Sequence, residues 1–257
     1  MLAIVPDHDY HEREISVSVW GHALLSTRIA KLQQSEWGAI TILEDTAMKN
    51  VFVASLALAS VLGLGTGVAS AAGEEVQGIK VNKENGSPGD GNNVLMKGSP
   101  LPLRGHAVKV GEPLPAAMVT GGNLAPVNMA DGSGKVRIIS VVPSVDTPTC
   151  EAQTHLLSEK DRKLADQVEM VTVSMDLPFA QTRFAKEAKI KNVTFYSDYK
   201  TGEFGMNNGL MIEPLHLLAR AVIVTDKNNV VRYIQVVPEV TQLPDMPAAM
   251  NFAKTLL

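Results

Sequence analysis

Residues 94–257, roughly the last two-thirds of the chain, predict an α/β sandwich preceded by a β-hairpin. Three observations carry this reading. A near-continuous β-branched run, Val136 to Val142, is followed by a helical stretch and then by a second β run, Val168 to Val173. Two more β runs, Ala221 to Thr225 and Val230 to Val236, surround Asp226-Lys227-Asn228-Asn229 and precede a closing helical stretch. Upstream, two short extended runs surround a glycine-containing turn.

In order, Val94-Leu95-Met96 and Leu101-Pro102-Leu103 flank Lys97-Gly98-Ser99-Pro100, a hairpin pattern. Val108 and Val110 extend that region until Gly111 breaks it. Val136 to Val142 lacks alternation, as a central strand buried on both faces does, and Pro143 stops it. A helical stretch then runs to about Ala165, with Leu156, Leu157 and Leu164 at helical spacing. Phe179 to Ala188 reads as a helix, and Val193 to Tyr196 as a short strand. The segment Asp226 to Asn229 suits a hairpin turn. Met246 to Leu257 closes with a helix. The order is hairpin, βαβ, αβ, ββ, α, the layout of a thioredoxin-like α/β sandwich.

The first third differs in character. Residues 48–71 open with Lys49, continue through the uncharged apolar run Val51 to Leu64, and end on Ala69-Ser70-Ala71. This is the three-part layout of a cleaved secretory signal peptide. Gly63, Gly65 and Gly67 leave its apolar core short for a membrane span. The expectation is a periplasmic or otherwise exported protein without stable membrane association after cleavage; an uncleaved anchor or a buried core helix is the other reading. Residues 1–47 carry Asp7, Asp9, Glu12, Glu14, Glu36, Glu44 and Asp45, which oppose export. They are expected not to be part of the natural protein, with Met48 as initiator; the alternative is a small cytoplasmic segment on a membrane-tethered protein. Both tryptophans, Trp20 and Trp37, lie there. Tryptophan fluorescence from the natural protein would therefore contradict the expectation. Residues 72–93 are rich in Gly, Asn and charge, which predicts a flexible linker or an exposed mature N-terminus.

Composition excludes several classes. The net charge of −4 and the absence of a basic stripe argue against a nucleic-acid partner. A single cysteine, Cys150, excludes an internal disulfide and a cysteine-based zinc site. His106, His155 and His216 lack ligand spacing, so neither metal nor cofactor is expected. Gly132-Ser133-Gly134-Lys135 lacks the Gly and Ser/Thr that a phosphate loop needs at positions 129 and 136, and reads as a turn.

The bland reading of a lone cysteine is a small buried hydrophobe. Its surroundings argue otherwise. Pro143, Thr147 and Cys150 form P-x-x-x-T-x-x-C between the predicted central strand and a helix. A thiol reacts as its thiolate, and a free one has a pKa of about 8.5. In a first helical turn, unpaired N–H groups and the helix dipole favour the anion. The Thr147 hydroxyl can bond the sulfur or a bound oxygen, or cap the helix, and both roles can coexist. Pro143, without an N–H, can wall one side. A cysteine hydrolase would need a histidine beside the sulfur. His155 lies five residues on, about 140° around the helix, and reads as a surface residue.

The segment PSVDTPTC (Pro143–Cys150) resembles the active-site segment of the bacterial thiol peroxidase branch of the peroxiredoxins. SMDLPFAQTRF (Ser174–Phe184) is similar to another segment of that branch, and LLARAVIVTD (Leu217–Asp226) to the strand bearing its active-site arginine, here Arg220. The hairpin around Lys97-Gly98-Ser99-Pro100 and the ending after Pro244-Asp245 also fit. The resemblance implies that the Cys150 thiolate attacks the terminal oxygen of hydrogen peroxide or an organic hydroperoxide. Arg220 and Thr147 would orient the peroxide and stabilise charge as the O–O bond breaks, leaving Cys150 as sulfenic acid. A surface or ion-paired arginine is the bland alternative for Arg220. The branch often carries a second, resolving cysteine in the following helix, where this chain has Ala185. A one-cysteine variant is therefore implied, resolved by an external thiol: a small thiol or an exported thioredoxin-like protein. Pairing with Cys150 of another subunit or over-oxidation are the other fates. A homodimer is implied by the same resemblance. The competing functions are a single-turnover redox sensor and a non-catalytic thioredoxin-like interaction module.

Overall fold

The computed structural model describes residues 73–159 and 162–257. The expectations for residues 1–47 and for a signal peptide at 48–71 lie outside the described residues.

In chain order the elements are β1 (Glu75–Val76), β2 (Ile79–Asn82), β3 (Asn93–Met96), β4 (Ser99–Arg104), β5 (Met118–Gly121), β6 (Pro126–Asn128) and β7 (Val136–Val141). Then come α1 (Pro148–Glu159), α2 (Arg162–Gln167), β8 (Val168–Ser174), α3 (Pro178–Glu187), β9 (Thr194–Ser197) and α4 (Glu203–Asn208). The chain closes with β10 (Met211–Ile212), a 3₁₀ turn, β11 (Leu217–Leu218), β12 (Ala221–Thr225), β13 (Val231–Val236), β14 (Leu243–Pro244) and α5 (Met246–Lys254).

The main sheet runs β13-β12-β7-β8-β9-β5-β6. β7 sits between antiparallel β12 and parallel β8, and all six of its residues are buried. Its alternation, invisible as polarity in the sequence, separates two cores. Val136 and Ile138 face α1 and α5, where Leu156, Leu157, Met246, Ala249 and Met250 pack. Ile139 and Val141 face the opposite layer, which includes Leu103, Phe204, Ile212 and Leu218. Both faces of the sheet are therefore covered, and this accounts for the continuous apolar run. The mixed α/β thioredoxin-like sandwich with its N-terminal hairpin is the observed fold. β3 and β4 pair from Asn93↔Pro102 to Met96↔Ser99. Their turn is tighter than the four residues read from the sequence. Lys97 and Gly98 alone form it, with φ of +51° and +81°, the left-handed pair that a two-residue hairpin favours.

One expectation is corrected. Residues 72–93 are not a flexible linker over their described part. β1 and β2 form a hairpin, and β2 pairs in parallel with β14. Val81 is buried in the same core as Leu243 and Met246. Further on, Gly86 donates to the Val236 carbonyl at 2.8 Å, and the Asn85 side chain accepts from Val236 N–H at 2.9 Å. This polar segment orders itself because it pairs with a chain end some 150 residues away. The helical stretch to about Ala165 is divided into α1 and α2. Val108 and Val110 lie outside any strand, and Gly132 to Lys135 lie in the loop between β6 and β7.

Candidate active site

Three stretches of chain converge where β7 ends. Ligands of α/β sheets bind beyond the carboxyl ends of the strands, and the βαβ crossover from β7 to β8 places its loop there. Residues 142–147 form this loop, and α1 begins at Pro148, whose missing N–H costs nothing at a first helical position. Thr147 caps the helix: its Oγ1 accepts from the Cys150 N–H at 3.3 Å. The hydroxyl proton can still be donated elsewhere. Pro143 is buried at the start of the loop.

Cys150 lies in the first turn of α1 and is fully buried. Val142, Val145, Phe184 and Phe195 pack around it. By packing alone it is a small hydrophobe. The arginine changes that. β12 runs antiparallel to β7 with Ala221 opposite Val141, so Arg220 emerges beside the end of β7. It is 2% exposed. Its Nη2 donates to the Cys150 sulfur at 3.3 Å, its Nη1 to Gln153 Oε1 at 2.7 Å, and its Nε to the Val240 carbonyl at 2.8 Å. Among the described residues, no carboxylate forms an ion pair with it. A buried cation needs a compensating charge or a full set of acceptors. Here the two other acceptors are neutral, and the group at the third position, sulfur, is the one that can become an anion.

Gln153 is the residue of this site that sequence reasoning missed. It is buried one helical turn beyond Cys150 and accepts from Arg220, while its Nε2 donates to Ser140 Oγ at 2.8 Å. Spacing i, i+3 from the cysteine puts both on one face of α1, a signal that was available. Asp176, in the segment after β8, anchors the loop. Its carboxylate accepts from Ser144 Oγ and from the Val145 N–H, both at 2.7 Å.

Beside the sulfur lies a cleft of about 300 Å³ lined in part by Val145, Thr147, Pro148 and Phe184. Val145 and Phe184 also belong to the apolar cluster around Cys150. His155 does not contribute: it is half-buried on α1, with Nε2 3.7 Å from Glu151. Among the described residues, no group of His, Cys, Asp and Glu could hold a metal ion. Ala185, where the resemblance would place a resolving cysteine, is part of α3. The structure therefore brings Cys150, Thr147 and Arg220 together with Gln153, and sets Pro143 at the base of their loop.

The Redoxin family profile matches residues 109–250. A thiol peroxidase of Halalkalibacterium halodurans is 45% identical over 165 residues, covering 64% of this chain and 99% of that protein. The thiol peroxidase of Bacillus subtilis is 42% identical over 164 residues, covering 64% and 98%. Among solved structures, a peroxiredoxin-like protein from Aquifex aeolicus superimposes with a TM-score of 0.60 at 38% identity, covering 64% of this chain and 97% of that one. A thiol peroxidase from Chromobacterium violaceum superimposes at 0.56 with 23% identity, covering 65% and 98%, a likeness of fold.

Proposed function

From the premise that this chain belongs to the Redoxin family and is a thiol peroxidase of the peroxiredoxin class, we propose that Cys150 is its peroxide-reducing sulfur and that an external thiol resolves it. The observation that carries the first half is the 3.3 Å approach of the Arg220 guanidinium to the sulfur, in a site where no carboxylate among the described residues pairs with the cation. The guanidinium is placed to hold charge that develops on the reacting atoms. The thiolate attacks the terminal oxygen of the hydroperoxide, the O–O bond breaks, and the alkoxide or hydroxide leaves and takes up a proton. Cys150 becomes sulfenic acid. Arg220 and the Thr147 hydroxyl stabilise charge on the two oxygens, as preorganised donors do. Pro143 shapes the loop that holds them.

The second half rests on the cysteine count. With one cysteine in the chain, no internal thiol can condense with the sulfenic acid. A first external thiol forms a mixed disulfide with Cys150 and releases water; a second releases the reduced enzyme and a disulfide of the reductant. Because Cys150 has no exposed surface, peroxide and reductant alike reach it only when the site opens, and the larger reductant needs the wider opening. A small thiol or an exported thioredoxin-like protein fits this role. Export follows from the composition of residues 48–71, and a homodimer from the family resemblance.

The test is repeated peroxide consumption by the full chain with a small added thiol. Consumption of many equivalents, abolished in Cys150→Ser, supports the reading. Consumption of a single equivalent with thiol in excess would leave a one-shot sensor instead.

A further inference from the structure

Arg220 is aimed by its partners, and one of them belongs to the loop between β13 and β14. The Val240 carbonyl takes the Arg220 Nε at 2.8 Å. The next carbonyl, of Thr241, lies 3.5 Å from the Thr149 hydroxyl, one residue before the reactive sulfur. This loop has no regular structure of its own between Val237 and Gln242. The side chain of Glu239 is one of the groups that fix it. Its Oε1 accepts from the Thr241 hydroxyl at 2.7 Å, the Thr241 N–H at 3.2 Å and the Lys97 N–H at 3.0 Å, and its Oε2 accepts from the Gly98 N–H at 3.0 Å. The two-residue turn between β3 and β4 thus presents both of its N–H groups to one carboxylate. Two backbone bonds extend the seam, from Leu95 N–H to the Pro238 carbonyl at 2.6 Å and from Val240 N–H to the Leu95 carbonyl at 2.9 Å.

We propose that Glu239 is a positioning residue for the reaction at Cys150: it ties the loop to the hairpin turn, holds the Val240 carbonyl in place, and so points the Arg220 guanidinium at the sulfur. This rests on the reading that Arg220 acts on Cys150. Glu239 touches neither the sulfur nor the arginine, and its effect passes through the residue beside it. It also gives the N-terminal hairpin a part in the chemistry, since the turn supplies two of the four donors.

The experiment is a double-mutant cycle on the full chain, read as the single-turnover rate of Cys150 oxidation by hydrogen peroxide. Glu239→Gln keeps the size of the side chain but sets an N–H₂ group against one of the four donors. With Arg220 present it is expected to slow oxidation about tenfold, and in the Arg220→Met background less than about twofold, because residues acting as one unit are not additive. Thr241→Val removes one donor with little change of shape and is expected to slow oxidation about threefold, again only when Arg220 is present; it carries the test if the glutamine variant does not fold. A native rate in both variants, or equal slowing in both backgrounds, would overturn the role of Glu239. If Arg220→Met itself oxidised at the native rate, the reading of Arg220 would fall, and this proposal with it.

Discussion

The Nη2 of Arg220 and the Sγ of Cys150 lie 3.3 Å apart in a pocket closed to solvent. The pair joins residues 70 positions apart, brought together because β12 runs antiparallel to β7 and begins beside the end of β7, from which the chain leads into α1. Arg220→Met keeps the bulk and removes the charge and both donors to Cys150 and Gln153. Loss of a preorganised donor to developing charge typically costs about 10²–10³-fold in rate, and a slowing of that order in stopped-flow oxidation is expected. Arg220→Lys keeps the charge without the planar fork and is expected to fall between the two.

Thr147 has two separable functions. Thr147→Val removes the cap on the Cys150 N–H and is expected to lower stability by about 0.5–2 kcal/mol, as well as to slow peroxide reduction. Thr147→Ser keeps the oxygen and is expected to restore most of both. Urea titration and oxidation rates on the three proteins separate the cap from the chemistry.

Asp176 holds the loop shut through Ser144 and Val145. Asp176→Ala leaves the Val145 N–H without its acceptor, at a cost of about 1–3 kcal/mol. Hydrogen exchange at Val145 is expected to rise. So is alkylation of reduced Cys150 by a bulky maleimide, because that reagent needs the loop open. Unchanged exchange and alkylation would show that the loop is held by its packing instead.

A buried carboxylate away from the sulfur sets part of the acid-side stability. Asp198 is almost fully buried, and both of its oxygens accept from the first turn of α4, at Phe204 and Gly205. Burial outweighs those bonds and pushes its pKa up from 3.8 to about 6. The folded state therefore holds this proton more tightly than the unfolded chain. The resulting contribution is full below 3.8 and is lost as pH rises through about 6. The loss is on the order of 3 kcal/mol. Glu239 acts in the opposite sense. Desolvation alone would raise its pKa, but the donors from Thr241, Gly98 and Lys97 together hold it below the usual value. Its contribution is present above the unfolded pKa and is lost as pH falls through the lower, folded one. The difference in urea stability between the native protein and Asp198→Asn, followed from about pH 4 to pH 7, isolates the first effect; a difference that does not change over that range would refute it.

The sequence made parts of this architecture legible and hid others for physical reasons. The β-branched run at Val136–Val142, the P-x-x-x-T-x-x-C spacing and the Asp226–Asn229 turn are local signals, and each names its own element. Arg220 is of another kind. Nothing near it in sequence marks it as the partner of a cysteine 70 residues away, and it was reached through family resemblance. Residues 73–86 were misread because composition reports only what a segment can bury by itself. Val76, Ile79 and Val81 find their partners in the C-terminal elements. The β5–β6 hairpin and the six-residue α4 are short and lean on neighbours, so neither shows a periodic pattern. Gln153 was legible by spacing and went unremarked.

The most direct test of the central claim is the intact mass of the reduced full chain within seconds of one equivalent of hydrogen peroxide, alongside Arg220→Met. The account predicts a gain of one oxygen, or a Cys150-linked dimer, in the native protein and a largely unchanged mass in the variant. An unchanged mass in the native protein would contradict it, and would mean that Cys150, for all its nearness to Arg220, is an inert core residue.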